Sequence, residues 1–274
     1  PLRLRPAIGF AGAYAALLLG GHAPTAVHVT LVVAIYLVFR LIERGRRARL
    51  RRTLAWLAGM AAGAAIAAPS LLPYVEYYRL SSSALASAAL DRSASHLAPA
   101  TLAHCLLPFL SGAPHRGFEQ LAARLGVGEI ENFNERTGYV GLFTLFVVIV
   151  AILRVRTRAA RFYGALAAGS LLVVYGVPPF PALLHALPIT SAMNHQRLLL
   201  MVGWSAAVLA GFGIDVMLRA EPRDRPRWLA LSFAVALAVA LAVVWSFIGS
   251  GFSRLGGAPR AFLLGQAWIP VTGV

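Results

Sequence analysis

The sequence contains no lysine, one cysteine and few acids. Ten of its 274 residues are Asp or Glu, and all 25 basic residues are arginine. A single cysteine, Cys105, excludes an intrachain disulfide, and no Cys/His spacing resembles that of a zinc site. Only 13% of the residues are charged, whereas a soluble domain has roughly 25%. These shortages argue against a soluble protein.

Familiar catalytic motifs are also missing. The chain has no nucleophile elbow, P-loop, Gly-x-Gly-x-x-Gly or His-Glu-x-x-His pattern. It also shows no signal peptide, because it opens with Pro1 and is basic from Arg3 onward. We expect it to be a fragment of a longer protein, since it lacks an initiating methionine.

Hydrophobic residues make up 59% of the chain, and the mean hydropathy is +0.72. Apolar runs of about twenty residues are long enough to cross the ~30 Å hydrocarbon core as helices. The sequence therefore predicts an all-α, polytopic transmembrane helix bundle that forms one membrane domain over residues 1–274. Seven spans are expected, at about residues 6–20, 25–42, 53–72, 137–153, 162–177, 198–218 and 228–249.

Between the third and fourth spans lies a long loop, residues 73–136, with helix-like apolar runs at 97–110 and 118–125. Arginines predict on which side it lies, because cytoplasmic loops are enriched in them. Alternate loops hold 17 of the 25 arginines if the N-terminus of the fragment is cytoplasmic. The long loop is then extracytoplasmic. The basic charge is explained by this orientation, so no nucleic-acid partner is expected.

Two histidines lie near the first outer turn. His22, in Gly-His-Ala-Pro-Thr, is either a turn residue that satisfies a broken helix end or a donor that faces a lipid-accessible cavity. His28 follows about one helical turn into the next span and is expected to be packed or interfacial.

Glu76 follows Pro73 at the outer end of the third span, among three tyrosines typical of an interfacial belt. Arg79 is three residues further on, at a spacing that allows an ion pair on one helix face. Glu76 is therefore either a structural partner of Arg79 or a substrate contact at the membrane surface.

Acids and amides precede the fourth span in residues 129–139, where Glu131, Asn132 and Glu135 are the candidates for sugar or acceptor binding. Carboxylates and amides pair well with sugar hydroxyls. The alternative is that these residues only cap the next helix and complement its dipole. A divalent cation is possible through oxygen ligands, but no ligand spacing demands one, and we predict no metal site.

A second polar cluster, Asn194, His195 and Arg197, precedes the sixth span. An arginine at a helix N-terminus opposes the dipole, so a phosphate partner would explain its presence there. The alternative is an interfacial arginine bonded to lipid headgroups or to Glu135. At the other end of the span, Asp215 and Arg219 are expected to form an ion pair four residues apart.

Five phrases at helix ends, in this order, resemble the bacterial YfhO-like membrane proteins of the GT-C glycosyltransferase superfamily, over about residues 10–220. They are Gly21-His22-Ala23-Pro24-Thr25; Leu71-Leu72-Pro73…Glu76 followed by Leu80-Ser81; Asn132…Asn134-Glu135-Arg136…Gly138-Tyr139-Val140-Gly141-Leu142; Leu187-Pro188 running into Gln196-Arg197-Leu198-Leu199-Leu200; and Leu209-Ala210-Gly211-Phe212-Gly213-Ile214-Asp215.

The resemblance implies a multi-pass enzyme of the bacterial inner membrane. Such an enzyme transfers a sugar from a polyprenyl-phosphate carrier to an extracytoplasmic cell-wall polymer or lipid. The family's essential acid lies in the first outer loop, which has no match here, so the catalytic residue is unknown and is expected outside this fragment. The alternative is a non-enzymatic flippase or transporter for a lipid-linked substrate, or a membrane scaffold subunit.

Overall fold

The structure, a computed structural model, describes residues 4–42, 45–81, 96–109, 137–187, 190, 193–221 and 225–249. Within these ranges all regular secondary structure is helical. The α-helices are α1 Leu4–Leu19, α2 Ala23–Leu41, α3 Arg46–Leu80, α4 Leu142–Arg154, α5 Arg158–Val174, α6 Phe180–His185, α7 Leu199–Arg219 and α8 Arg225–Gly249. Two 3-10 helices, Pro99–Cys105 and His195–Leu198, complete the described elements.

Four of the described helical stretches are long and apolar enough to cross a membrane: Ala23–Leu41, Arg46–Leu80, His195–Arg219 and Arg227–Trp245. Shorter apolar helices cover Arg5–Leu19 and Leu142–Arg154. Each of the seven predicted spans overlaps a helix, and over its described ranges the chain is an all-helical membrane protein.

The bounds of α3 and α4 differ most from those of the predicted spans. The helix α3 continues through Pro69 and Pro73 to Leu80, eight residues beyond the predicted end of the third span. The helix α4 begins only at Leu142, because Gly141 has a φ of 79° that a right-handed helix does not allow.

The chain divides into two compact units: unit 1 (Pro1–Arg92 and His185–Asn194) and unit 2 (Ser93–Leu184 and His195–Val274). In unit 1, α1 packs closely on α3. The α3 residues Gly59, Gly63 and Ala67 are buried at intervals of four, which is the small-residue spacing that lets helices approach in lipid. A Cβ on Gly63 would lie 2.7 Å from the carbonyl oxygen of Ala11.

In unit 2, α7 packs against α4 and α5, and α8 packs against α4. Gly213 of α7 lies directly against the Val147 carbonyl of α4, so no side chain fits between these two helices. Ala151, Ala160 and Leu209 form a buried cluster that joins α4, α5 and α7. The approach of the helices is again achieved with small residues.

Part of the long predicted loop belongs to the core of unit 2. Leu97, Ala103 and Leu106 are buried, and the Leu97 N–H donates to the Val174 carbonyl at 2.9 Å. The helix-like apolar run predicted at 97–110 contains the 3-10 helix Pro99–Cys105, and its described residues pack into unit 2. The run predicted at 118–125 lies outside the described residues.

Candidate functional site

Unit 1 contains a cavity of about 550 Å³ between α1, α2 and α3, which Leu187 and Thr190 also line. This volume falls within the ~300–1,000 Å³ that is usual for ligand sites. The cavity exists because α2 packs far less closely on its neighbours than α1 packs on α3.

One face of α2 lines the cavity: Ala23, Ala26, Val27, Thr30, Leu31 and Ala34. Their spacing of three and four residues places them on a single stripe of the helix. From α3 come Ser70, Leu71 and Tyr74, which also share one face. The walls are therefore mainly apolar, with hydroxyl groups at intervals.

The hydroxyl groups of the cavity are held by local hydrogen bonds. Thr30 donates to the Ala26 carbonyl at 2.7 Å and lies 3.3 Å from the Tyr14 phenol oxygen. Thr190 donates to the Leu187 carbonyl at 3.1 Å and is buried. The sequence analysis did not identify these residues as a site. The signal that could have identified them is the recurrence of small and hydroxyl residues every three or four positions on one face of α2.

His22 sits between Gly21 and Ala23, two residues that line the cavity. Its Nδ1 accepts the Thr25 backbone N–H at 3.3 Å and the Thr25 hydroxyl at 2.7 Å. The interpretation that its ring satisfies the helix end is confirmed. Because Nδ1 accepts, a neutral ring carries its proton on Nε2 and presents a donor at the exposed rim.

Glu76 does not face the cavity. Successive residues of an α-helix turn by about 100°, so Glu76 lies roughly 200° around α3 from Tyr74, on the opposite side. Its side chain is exposed, and within the described part of the chain it forms no ion pair with Arg79. The expectation that Glu76 forms a structural pair with Arg79 is wrong. Its contact with a substrate stays a prediction.

The cluster Asn194, His195 and Arg197 divides between the units. Asn194 belongs to unit 1, whereas His195 and Arg197 lie in unit 2, in the 3-10 helix that leads into α7. His195 is 1% exposed, and the phosphate contact predicted for this cluster stays a prediction. Arg197 is half-buried at the N-terminal end of α7, as the sequence predicts.

Three predicted contacts, Glu131, Asn132 and Glu135, lie outside the described residues. His28 is buried at 1% exposure, which confirms a packed histidine. The expected ion pair is also confirmed: an Arg219 guanidinium nitrogen lies 2.8 Å from an Asp215 carboxylate oxygen. In the ranges that the structure describes, no group of three His, Cys, Asp or Glu side chains is placed to hold a metal ion.

Unit 2 has its own cavity, of about 350 Å³, with almost entirely apolar walls. Cys105, in the 3-10 helix beside it, is buried, and burial raises the pKa of its thiol to about 11. The neighbouring Tyr175 hydroxyl offsets part of this rise, although its oxygen falls short of hydrogen-bond geometry. The thiol is therefore uncharged at neutral pH and unsuited to nucleophilic chemistry.

Comparison with protein-family models, with curated proteins and with solved structures found no match.

Proposed function

We propose that this chain is part of a membrane-embedded glycosyltransferase. It transfers a sugar from a polyprenyl-phosphate carrier to an extracytoplasmic acceptor of the bacterial cell envelope. The observation that supports this function best is the cavity of unit 1. Its apolar walls suit a hydrocarbon chain, and its hydroxyl groups suit the polar end of a lipid. The resemblance of the five helix-end phrases to the GT-C superfamily supports the same enzyme class.

The proposal includes seven membrane crossings with a cytoplasmic N-terminus. Contacts within unit 2 support it, since ends assigned to the same side lie together. On the side assigned to the cytoplasm, the Arg154 guanidinium lies 5.4 Å from the centroid of the Trp228 ring. On the side assigned to the exterior, Leu97 is bonded to Val174.

In the proposed reaction, the carboxylate of an acidic residue acts as a general base. It removes the proton of the acceptor hydroxyl while the hydroxyl oxygen bonds to the anomeric carbon of the sugar. The bond from that carbon to the carrier phosphate breaks, and the phosphate leaves with the electron pair. Arg197 stabilises this phosphate because a guanidinium binds it in a bidentate manner. Glu131, Asn132 and Glu135 contact the sugar or the acceptor.

Filling the cavity tests the proposal. Phenylalanine at Ala34 occupies the cavity, whereas phenylalanine at Ile35 projects from a neighbouring, 45%-exposed position of the same helix. In membranes containing the full-length protein, Ala34→Phe should lower transfer from a labelled polyprenyl-phosphate sugar roughly tenfold by weakening carrier binding. Ile35→Phe should leave both unchanged.

The same assay separates the alternatives. Equal transfer and carrier binding by Ala34→Phe and the unaltered protein would remove the cavity from the proposal. Arg197→Ala should abolish most transfer, and unchanged transfer would disprove the phosphate role. Movement of the labelled carrier across the membrane with no glycosylated product would instead indicate the lipid-linked-substrate transporter.

A further inference from the structure

The first two turns of α3 form the most concentrated charge in the described structure. Five of the first seven residues are arginine: Arg46, Arg47, Arg49, Arg51 and Arg52, here called the arginine collar. All five are exposed. At 1.5 Å per residue, the 35 residues of α3 extend about 52 Å, well beyond the ~30 Å hydrocarbon core. The collar therefore occupies a part of α3 that projects past the core.

Among the residues that the structure describes, no protein group compensates the charge of the collar. None of its five guanidinium groups makes a hydrogen bond or ion pair within the described ranges. The preceding Gly45 supplies no side-chain cap, and the first turn of α3 contains no acid. Cations at a helix N-terminus oppose the dipole, and Arg47 and Arg51 repel each other at a spacing of four residues.

Two other arginines of the described chain have protein partners. Arg154 lies over the Trp228 ring, and Arg219 is paired with Asp215. Five uncompensated cations on two turns of helix disfavour that helix unless anions approach from outside.

The position of the collar indicates which anions these are. At about 100° per residue the five arginines point to all sides of α3 rather than to one stripe. Exposed leucines follow at once, since Leu50, Leu54 and Leu57 are 61%, 56% and 49% exposed. A ring of guanidinium groups beside lipid-facing leucines lies at the level of the phosphates of a bilayer.

We propose that the arginine collar binds the phosphate groups of anionic phospholipids and surrounds α3 with them. Guanidinium groups hold phosphate oxygens in pairs, and several arginines next to a span attract anionic lipids strongly. This role goes beyond orientation in the membrane, which requires only that the charges lie on one side. It does not depend on the proposed glycosyl transfer.

Lipid titration of the purified protein tests the collar. The full chain in neutral detergent is titrated with phosphatidylglycerol or phosphatidylcholine, and bound lipids are counted by native mass spectrometry. We expect phosphatidylglycerol to bind at least about tenfold more tightly. Arg46→Gln/Arg47→Gln/Arg49→Gln should lose most of this preference. The matched control Arg156→Gln/Arg161→Gln/Arg227→Gln removes three exposed charges elsewhere and should keep it.

Equal losses in the two triple variants, or no preference in the unaltered protein, would overturn the proposal. Glycerol phosphate is added as a competitor: displacement of the lipid at equal concentration would mean that the collar recognises the free anion and not the lipid.

Should the glutamine variant fail to insert, replacement of all five arginines by lysine keeps the charge. That variant should bind phosphatidylglycerol several-fold more weakly, because lysine cannot donate two parallel hydrogen bonds to one phosphate. An unchanged affinity of the lysine variant for phosphatidylglycerol would also contradict the proposal.

Discussion

A histidine, rather than a serine or an aspartate, caps the N-terminus of α2. Its Nδ1 takes the place of the usual side-chain oxygen and accepts the backbone N–H of Thr25. Pro24, inside the first turn, has no N–H that needs a partner. The sequence left two roles open for His22 because imidazole is an uncommon cap. The hydrogen-bond geometry confirms the cap, and the donor role of the ring stays a prediction.

Cys105 gives a prediction at the scale of one residue. Because burial raises the pKa of its thiol to about 11, from an ordinary value of 9.0, its thiolate is scarce at pH 8. Maleimide should react with Cys105 at least about 100-fold more slowly than with an exposed cysteine. Rates are measured on the folded protein in detergent, with the urea-unfolded chain as the control.

Reaction at the rate of the unfolded chain would contradict the burial of this thiol. The raised pKa of Cys105 also makes the stability of the protein depend on pH. Between pH 9 and pH 11 the unfolded chain loses the thiol proton before the folded one does. The free energy of unfolding should therefore fall as the pH rises through this range.

Among the helices, α3 shows what apolar patterning can and cannot predict. Its apolar part was predicted at residues 53–72 because charge bounds it on one side and proline on the other. The helix itself is longer, since a proline inside a membrane helix removes a hydrogen bond without ending the helix. The face on which Glu76 lies follows only once Tyr74 and Glu76 are known to share one continuous helix.

The contact between α1 and α3 predicts how alanine substitutions in these two helices change the stability of the protein. A methyl group on Gly63 would meet backbone atoms of α1, whereas one on Gly12 would meet nothing within 4 Å. Gly63→Ala should therefore destabilise the protein by about 1–3 kcal/mol. Gly12→Ala should be neutral or stabilise it by up to about 1 kcal/mol, because alanine favours the helix.

Thermal unfolding in detergent, followed by circular dichroism, compares the two alanine variants directly. A Gly63→Ala variant as stable as Gly12→Ala would show that α1 and α3 are further apart than the structure has them. The contrast is internal, since both substitutions add the same methyl group to a helix.

At the scale of the molecule, the positions of the helices followed from hydropathy, but their grouping did not. Apolar length identifies segments that can enter a bilayer. It contains no information about which segments pack together, because nearly all faces of such helices are apolar. The helix-like apolar run at 97–110 is visible in the sequence, but nothing in its pattern indicates that Leu97 and Ala103 are buried in unit 2. The unit 1 cavity likewise depends on how loosely α2 packs.

Cysteine labelling tests the proposed seven-crossing topology. Two variants are made in a Cys105→Ser background. Tyr77→Cys introduces a thiol at a 73%-exposed position that is assigned to the exterior. Arg156→Cys introduces a thiol at an exposed position that is assigned to the cytoplasm. A membrane-impermeant maleimide applied to intact cells should label only the first of these variants. Permeabilised cells should show both labelled, as the control. Labelling of both in intact cells would exclude the proposed topology.

Unit 1 is assembled from two distant parts of the chain, which has a consequence for biosynthesis. Leu187 and Thr190 line a cavity whose other lining residues come from the chain before Val75. A ribosome therefore makes α4 and α5 after α1, α2 and α3 and before Leu187 and Thr190. The cavity acquires its full lining only when this later segment packs back onto helices that were made long before it.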